Sequence, residues 1–375
     1  LAALADRWHG AGTGLRLGAV LRFRPQPGPD GLPTVERGVE QQLADARDLL
    51  GLDTTEPRRT EPAERIRPGD GCYLVADAYH LPWVPYFGQR HMEHSLLVRP
   101  ADGDAVEVLD GYHNETPWGS ARPGRWTLDR DDFLAALPQG ALVARLAPVA
   151  PTATADPVVD LAGPAEVARY AAAYAGHPDR VAALHRLTLE TWLLLRSRKL
   201  HAAHLAATGV PVDERAVADR LHAWEALTEQ VYLAYRRVER GRPEPQRLSD
   251  RLVELLEGDR AVFGGAGRAT AADPATAGSA PSEQLRRTVA EAAAAVLRTE
   301  PGPLLDGAPL TDSPAFSSFR IVEIVERLES DLGIEFDPDD LVPEHLHLVD
   351  AICRAVLRAT PADTAARLVH SGEAR

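Results

Sequence analysis

The run from residue 258 to 283, GDRAVFGGAGRATAADPATAGSAPSE, constrains the fold more than any other stretch of this sequence. Gly, Ala, Thr, Ser and Pro dominate it, and such side chains bury too little apolar surface to offset the entropy of ordering a core. A chain interrupted in this way folds as separate bodies joined by a flexible tether. Its 375 residues suffice for two or three domains, and the 45% hydrophobic content can supply their cores. Compositional shifts place the boundaries at 1–150, 151–257, 258–284 and 285–375. FGGAG at 263–267 is no phosphate loop, because no strand precedes it and no Lys-Ser/Thr follows.

Residues 1–150 carry most of the aromatics, histidines and turn signals. GCYLVADAY, HSLLVRP and AVEVLDGY are short β-rich runs bounded by Gly, Pro and Asp, and read as strands. PADGDA between the second and third marks a hairpin turn. LDRDDFLAAL reads as a short helix opened by Asp129, and ALVARLAPV as a returning strand. Helices around a mostly antiparallel sheet make an α+β domain. LAALADRWHG, with Leu1, Leu4 and Trp8 near one face, reads as the interior of a helix, so a segment upstream of Leu1 is expected.

From 164 to about 257 the sequence turns Ala/Leu/Arg/Glu-rich with helical spacing, and Pro164 and glycines punctuate the runs. A helical subdomain is expected there, with Trp192, Trp224 and Tyr232 in its core. Arg196, Arg198 and Lys199 read as a solvated face able to dock an acidic helix.

The formal charge of −14 argues against nucleic-acid binding, which wants a basic face. No apolar run reaches the roughly 20 residues a membrane span needs, and nothing resembles a signal peptide. The two cysteines, Cys72 and Cys353, are far apart, which predicts no disulfide framework and a cytoplasmic protein.

SFRIVEIVERLESDLG places Ile321, Ile324, Val325 and Leu328 on one helical face and most of its acidic residues on the others. Ser317 or Ser318 before such a helix can serve simply as an N-cap. The segment from about 285 to 360 nevertheless resembles an acyl or peptidyl carrier protein. The likeness is carried by Ser318-Phe319-Arg320-Ile321-Val322-Glu323-Ile324-Val325, then Leu328-Glu329, Gly333-Ile334, the DPDDL turn and a closing apolar helix. It implies a four-helix bundle with 4′-phosphopantetheine on Ser318, attached by a separate phosphopantetheinyl transferase. Ser317 stands where the family has Asp, and Phe319 where it has Leu. A hydroxyl at a helix N-terminus suits the phosphodiester's charge.

In the first zone, His94 opens one strand and Asp110 closes the next across a turn, so a hairpin can bring carboxylate and imidazole together. Histidines at strand ends also simply satisfy backbone carbonyls. A metal site built from His91, Glu93, His94, His113 and Asp77 or His80 is the second reading. Strand alternation works against it, since His91 and His94 would not face one way.

The pattern DAYHLPW, H..HSLLV, VEVLDGY and W.L.RDDF resembles the butirosin-type acyltransferase N-terminal domain family, whose folds are papain-like, akin to C39 peptidases. The resemblance implies His94 as general base, Asp110 as its orienter, and Asp77 and Pro82 in the stretch leading to His91. It also implies a cysteine nucleophile at the start of the first helix. LAALADRWHG holds none, so that residue lies upstream of Leu1 or has been lost; Cys72, inside a strand, is the one candidate in this zone. Cys353 reads as core.

The expected function is a carrier fusion in polyketide or nonribosomal peptide-type biosynthesis. A cysteine-hydrolase-like domain would transfer or release an acyl or aminoacyl group held as a phosphopantetheine thioester. The expected partners are synthase, adenylation or acyl-loading enzymes and an acyl acceptor. The alternatives are a nucleophile-less domain that only positions the carrier-bound intermediate, and His94-assisted amine attack without a covalent enzyme intermediate.

Overall fold

Period-two alternation of apolar and polar residues builds a seven-stranded sheet: β1 (Leu52–Thr54), β2 (Arg58–Thr60), β3 (Cys72–Asp77), β4 (Glu93–Pro100), β5 (Val106–Asp110), β6 (Gly124–Leu128) and β7 (Ala141–Pro148). The computed structural model describes residues 1–116, 118–151, 156–245, 247–264, 281–316, 318–336 and 346–360. The sheet order is β6-β5-β4-β3-β7-β1, with β2 also on β7, and every pairing is antiparallel. The chain is therefore a mixed α+β protein. Ser317, the tether residues 265–280 and the DPDDL turn fall outside the described residues.

Alternation divides the sheet into two apolar faces. One carries Cys72, Leu74, Leu96, Val98, Val106 and Val108 and packs against Phe133 of helix α3 (Arg130–Ala135). The other carries Tyr73, Val75, Ala144 and Leu146 beneath Leu4 and Ala5 of helix α1 (Ala2–His9) and Leu43, Ala46 and Leu50 of helix α2 (Val39–Leu50). Asp129 caps α3 by accepting the N–H of Asp132 at 2.8 Å. Gly71 precedes β3 at φ 70°, and a Cβ there would overlap the Leu146 carbonyl oxygen, so the entry into β3 admits no larger residue.

Two compact units emerge, and neither is a continuous stretch of sequence. The sheet belongs to the first, which comprises Leu1–Leu21, Glu36–Val158 and Lys199–Val210. The second comprises Arg22–Val35, Val159–Arg198 and Pro211–Arg375.

Helices α4 (Pro164–Ala175), α5 (Arg180–Thr208), α6 (Glu214–Glu239) and α7 (Leu248–Phe263) occupy the Ala/Leu-rich zone. Trp224 is fully buried and Tyr232 nearly so; Trp192 is partly buried, with the Arg196 guanidinium over its ring. Arg198 corrects the solvated-face expectation: it is fully buried, donating from Nε (2.9 Å) and Nη2 (2.6 Å) to Asp259, while Arg196 and Lys199 are exposed. Trp224 Nε1 donates to the other Asp259 oxygen at 3.0 Å. This network also extends α7 past the tether boundary expected at 258. Gly-Asp-Arg carries turn signals, but Asp259 and Phe263 are buried partners that hold the helix to Phe263.

At the C-terminal end, α8 (Glu283–Leu297), a short α9 (Pro301–Leu305), α10 (Ser318–Leu332) and α11 (Val349–Ala359) enclose one apolar core. Ser282 caps α8 by accepting the Leu285 N–H. Ile321, Ile324, Val325 and Leu328 of α10 are all buried, as their spacing predicts, together with Cys353 of α11. Gly333, at φ 63°, follows α10 in the left-handed conformation favoured just past helix ends. Among the described residues no helix is long and apolar enough to cross a membrane.

Candidate functional site

The hairpin β4–β5 places His94 near the start of one strand and Asp110 at the end of the next. Both side chains lie on the face carrying Leu96, Val98, Val106 and Val108, as the period-two pattern requires. His94 Nε2 sits 2.6 Å from Asp110 Oδ2, and the two side chains are 4% and 3% exposed. With Nε2–H donated to the carboxylate, Nδ1 is the ring nitrogen able to accept a proton.

Asp110 is held from two further directions. Trp83 Nε1 donates to Oδ2 at 3.0 Å, and the Tyr112 N–H donates to Oδ1 at 2.9 Å. Burial alone would raise the Asp110 pKa, but hydrogen bonding and charge from His94, with the two further donors, outweigh it and keep the carboxyl below its ordinary range. The Tyr112 ring meets the His94 imidazole edge to face at 5.1 Å. Its hydroxyl lies 2.9 Å from that of Tyr86 and accepts from Asn114 Nδ2 at 3.0 Å. Trp118, exposed at the surface, contacts Tyr86 edge to face at 5.8 Å. A fixed imidazole beside an ionised, oriented carboxylate can act as a general base.

Asp77 and His91 form a second pair at the same end of the sheet. His91 Nδ1 is 2.6 Å from Asp77 Oδ2, its ring stacks on Tyr79 at 4.2 Å, and its side chain is largely exposed. Burial works to raise the Asp77 pKa, yet hydrogen bonds from His91 and the N–H groups of Tyr79 and Met92 hold it below the usual carboxylate range. Among the described residues, no group of three or more His, Cys, Asp or Glu is placed to hold a metal ion.

Cys72 is not brought to His94, which corrects its candidacy as nucleophile. In the β3–β4 register it pairs with Val98, whereas His94 pairs with Ala76. Four strand residues separate the two levels, about 13 Å. Cys72 is fully buried, and burial pushes its thiol pKa up, away from the reactive thiolate. Helix α1 lies on the opposite sheet face from His94 and contains no cysteine.

Ser318 is the first residue of α10. It therefore stands at the positive dipole end of a 15-residue helix.

Sequence reading missed Trp83 and Tyr112 as partners of Asp110. LPW and DGY did contain both residues, but only the fold turns an indole and a backbone N–H toward one carboxylate. It also missed the arginines of YRRVERGR at 235–242, whose spacing resembles an ordinary solvated helix end. Comparison with known proteins returns no matching family model and no curated relative.

Proposed function

We propose that this chain is a carrier fusion whose His94–Asp110 pair assists transfer or release of an acyl group borne on Ser318. The observation that carries the reading is the buried pair itself, with Asp110 locked by Trp83 and Tyr112 and His94 Nδ1 left as the proton acceptor. The apolar register of α10, counted from Ser318, supports the carrier reading, and a papain-like fold for the sheet domain remains part of the same proposal. Phosphopantetheine on Ser318 would supply a thiol that holds the acyl group as an activated thioester. The base's task is then modest: His94 takes the proton from an attacking amine, water or thiol, and Asp110 stabilises the imidazolium that forms. Linking the carrier to the same chain raises the effective concentration of that thioester.

Intact-mass analysis after incubation with coenzyme A and a promiscuous phosphopantetheinyl transferase tests the carrier half. One phosphopantetheine is expected on the wild type and on Ser317→Ala, and none on Ser318→Ala. No added mass, or addition that survives Ser318→Ala, overturns it. Following acyl groups loaded on Ser318 tests the enzymatic half: His94→Ala should slow their loss by about 10²- to 10⁴-fold. Unchanged loss would leave the non-catalytic alternative, a domain that positions the carrier-bound intermediate for partner synthases.

A further inference from the structure

The end of α6 and the loop after it carry Arg236, Arg237, Arg240 and Arg242 within seven residues, and all four engage the acidic side of α10 or its exit. Arg240 reaches Glu326 at 2.5 Å, with Arg236 at 3.7 Å from the same carboxylate. Arg237 bridges Glu329 at 3.2 Å and Glu335 at 3.3 Å, and Arg242 also pairs with Glu329. Glu329 accepts the Phe336 N–H at 3.1 Å as well. The clasp closes over Glu329, whose side chain is 3% exposed, while Glu323 and Asp331 of the same helix are 44% and 50% exposed.

Apolar support for this contact is slight. Tyr232 and Leu233 of α6 are its buried residues in the C-terminal core, with Tyr235 packed against them; the remaining buried core residues all come from 285–356. Polar contacts between parts of one chain are the ones that open and close.

From this charge complementarity we infer that the α6 arginine row is a docking face for the chain's own C-terminal bundle, a reversible electrostatic latch. While it is closed, Glu326 and Glu329 of α10 are occupied in cis and withheld from any other cationic partner. Opening replaces these five ion-pair contacts by solvated side chains, so added salt, which screens the attraction that recloses the latch, shifts the balance toward the open form. The inference is independent of modification at Ser318.

Carboxyl footprinting of the full chain with a carbodiimide and glycine ethyl ester, read by peptide mass spectrometry, tests it. At low salt, Glu326 and Glu329 should label at least several-fold more slowly than Glu323 and Asp331. About 1 M NaCl, where the screening length is about 3 Å, should erase most of that protection, as should Arg240→Glu. The swap Arg240→Glu with Glu326→Arg should restore it at Glu329. Asp259, fully buried, reports folding and stays unlabelled throughout. Labelling of Glu329 as fast as Glu323 at low salt would overturn the docking face. Protection unchanged by salt and by Arg240→Glu would overturn the latch in favour of permanent packing, and failure of the swap to restore protection would overturn the charge pairing.

Discussion

Asp110→Asn is the substitution that most sharply separates an orienting carboxylate from an incidental strand-end contact. The wild-type side chain accepts three donors, from His94 Nε2 and Trp83 Nε1 on one oxygen and the Tyr112 N–H on the other. An asparagine offers one oxygen. If that oxygen faces His94 and Trp83, its amide group confronts the Tyr112 N–H and strands one buried donor; the reverse orientation strands the Trp83 N–H and forces the His94 proton onto Nδ1. One stranded donor costs about 1–3 kcal/mol, and the charge-assisted bond to His94 weakens besides. A loss of about 2 kcal/mol or more is therefore expected in urea denaturation followed by tryptophan fluorescence and circular dichroism. The difference should also depend on pH. A carboxyl whose folded pKa is depressed contributes stability that is fully present above its unfolded value of about 3.9, and loses it as pH falls through the folded value. The gap between wild type and Asp110→Asn should thus be complete at about pH 6 and shrink below about pH 4. A gap under about 0.5 kcal/mol at neutral pH, within the range of ordinary surface substitutions, would refute the reasoning, as would a gap indifferent to acid.

Asp259→Ala removes the partner of a fully buried guanidinium and of the Trp224 indole, and should destabilise the chain by about 3–5 kcal/mol; the double change Arg198→Met with Asp259→Leu should recover much of that, and a single-variant loss below about 1 kcal/mol would contradict the burial. Thiol reactivity checks the cysteines. Burial raises the Cys72 pKa and pushes Cys353 up to about 12, so both should resist alkylation in the folded chain and react once it is denatured. Rapid labelling of native Cys72, or loss of acyl turnover in Cys72→Ala, would reopen its candidacy.

The parts of this architecture visible in the sequence are those set by local rules. Alternation gave β3, β4, β5 and β7 their places, Asp129 marked the start of α3, and the spacing of Ile321, Ile324, Val325 and Leu328 named the buried side of α10. The hairpin argument also brought His94 to Asp110, because hairpin register is a local property. What escaped was long-range pairing of charge. Arg198 sits in a polar-looking run, yet its partner Asp259 is 61 residues away and itself inside a run that reads as tether. No window short enough to judge periodicity contains both, so each half was assigned to solvent. The α6 clasp escaped in the same way, its glutamates lying some 90 residues downstream. Cys72 shows the opposite failing: composition offered it as the one thiol in its zone, and only strand register shows that it lies about 13 Å along the sheet from His94.

Helix α5 runs without interruption from Arg180 to Thr208, and its residues are shared: those through Arg198 belong to the second compact unit, and those from Lys199 onward to the first. In the first unit, His201 Nδ1 meets the Gly18 carbonyl at 2.7 Å, and the Leu200 backbone passes so close that Gly18 has no room for a side chain. A gene segment ending near residue 150 would therefore encode the whole sheet but omit a helix against which its N-terminal turn is shaped. Recombination that moved this sheet into another chain would have to carry the stretch through Val210 along with it. The sheet and the α5 helix can be inherited only together.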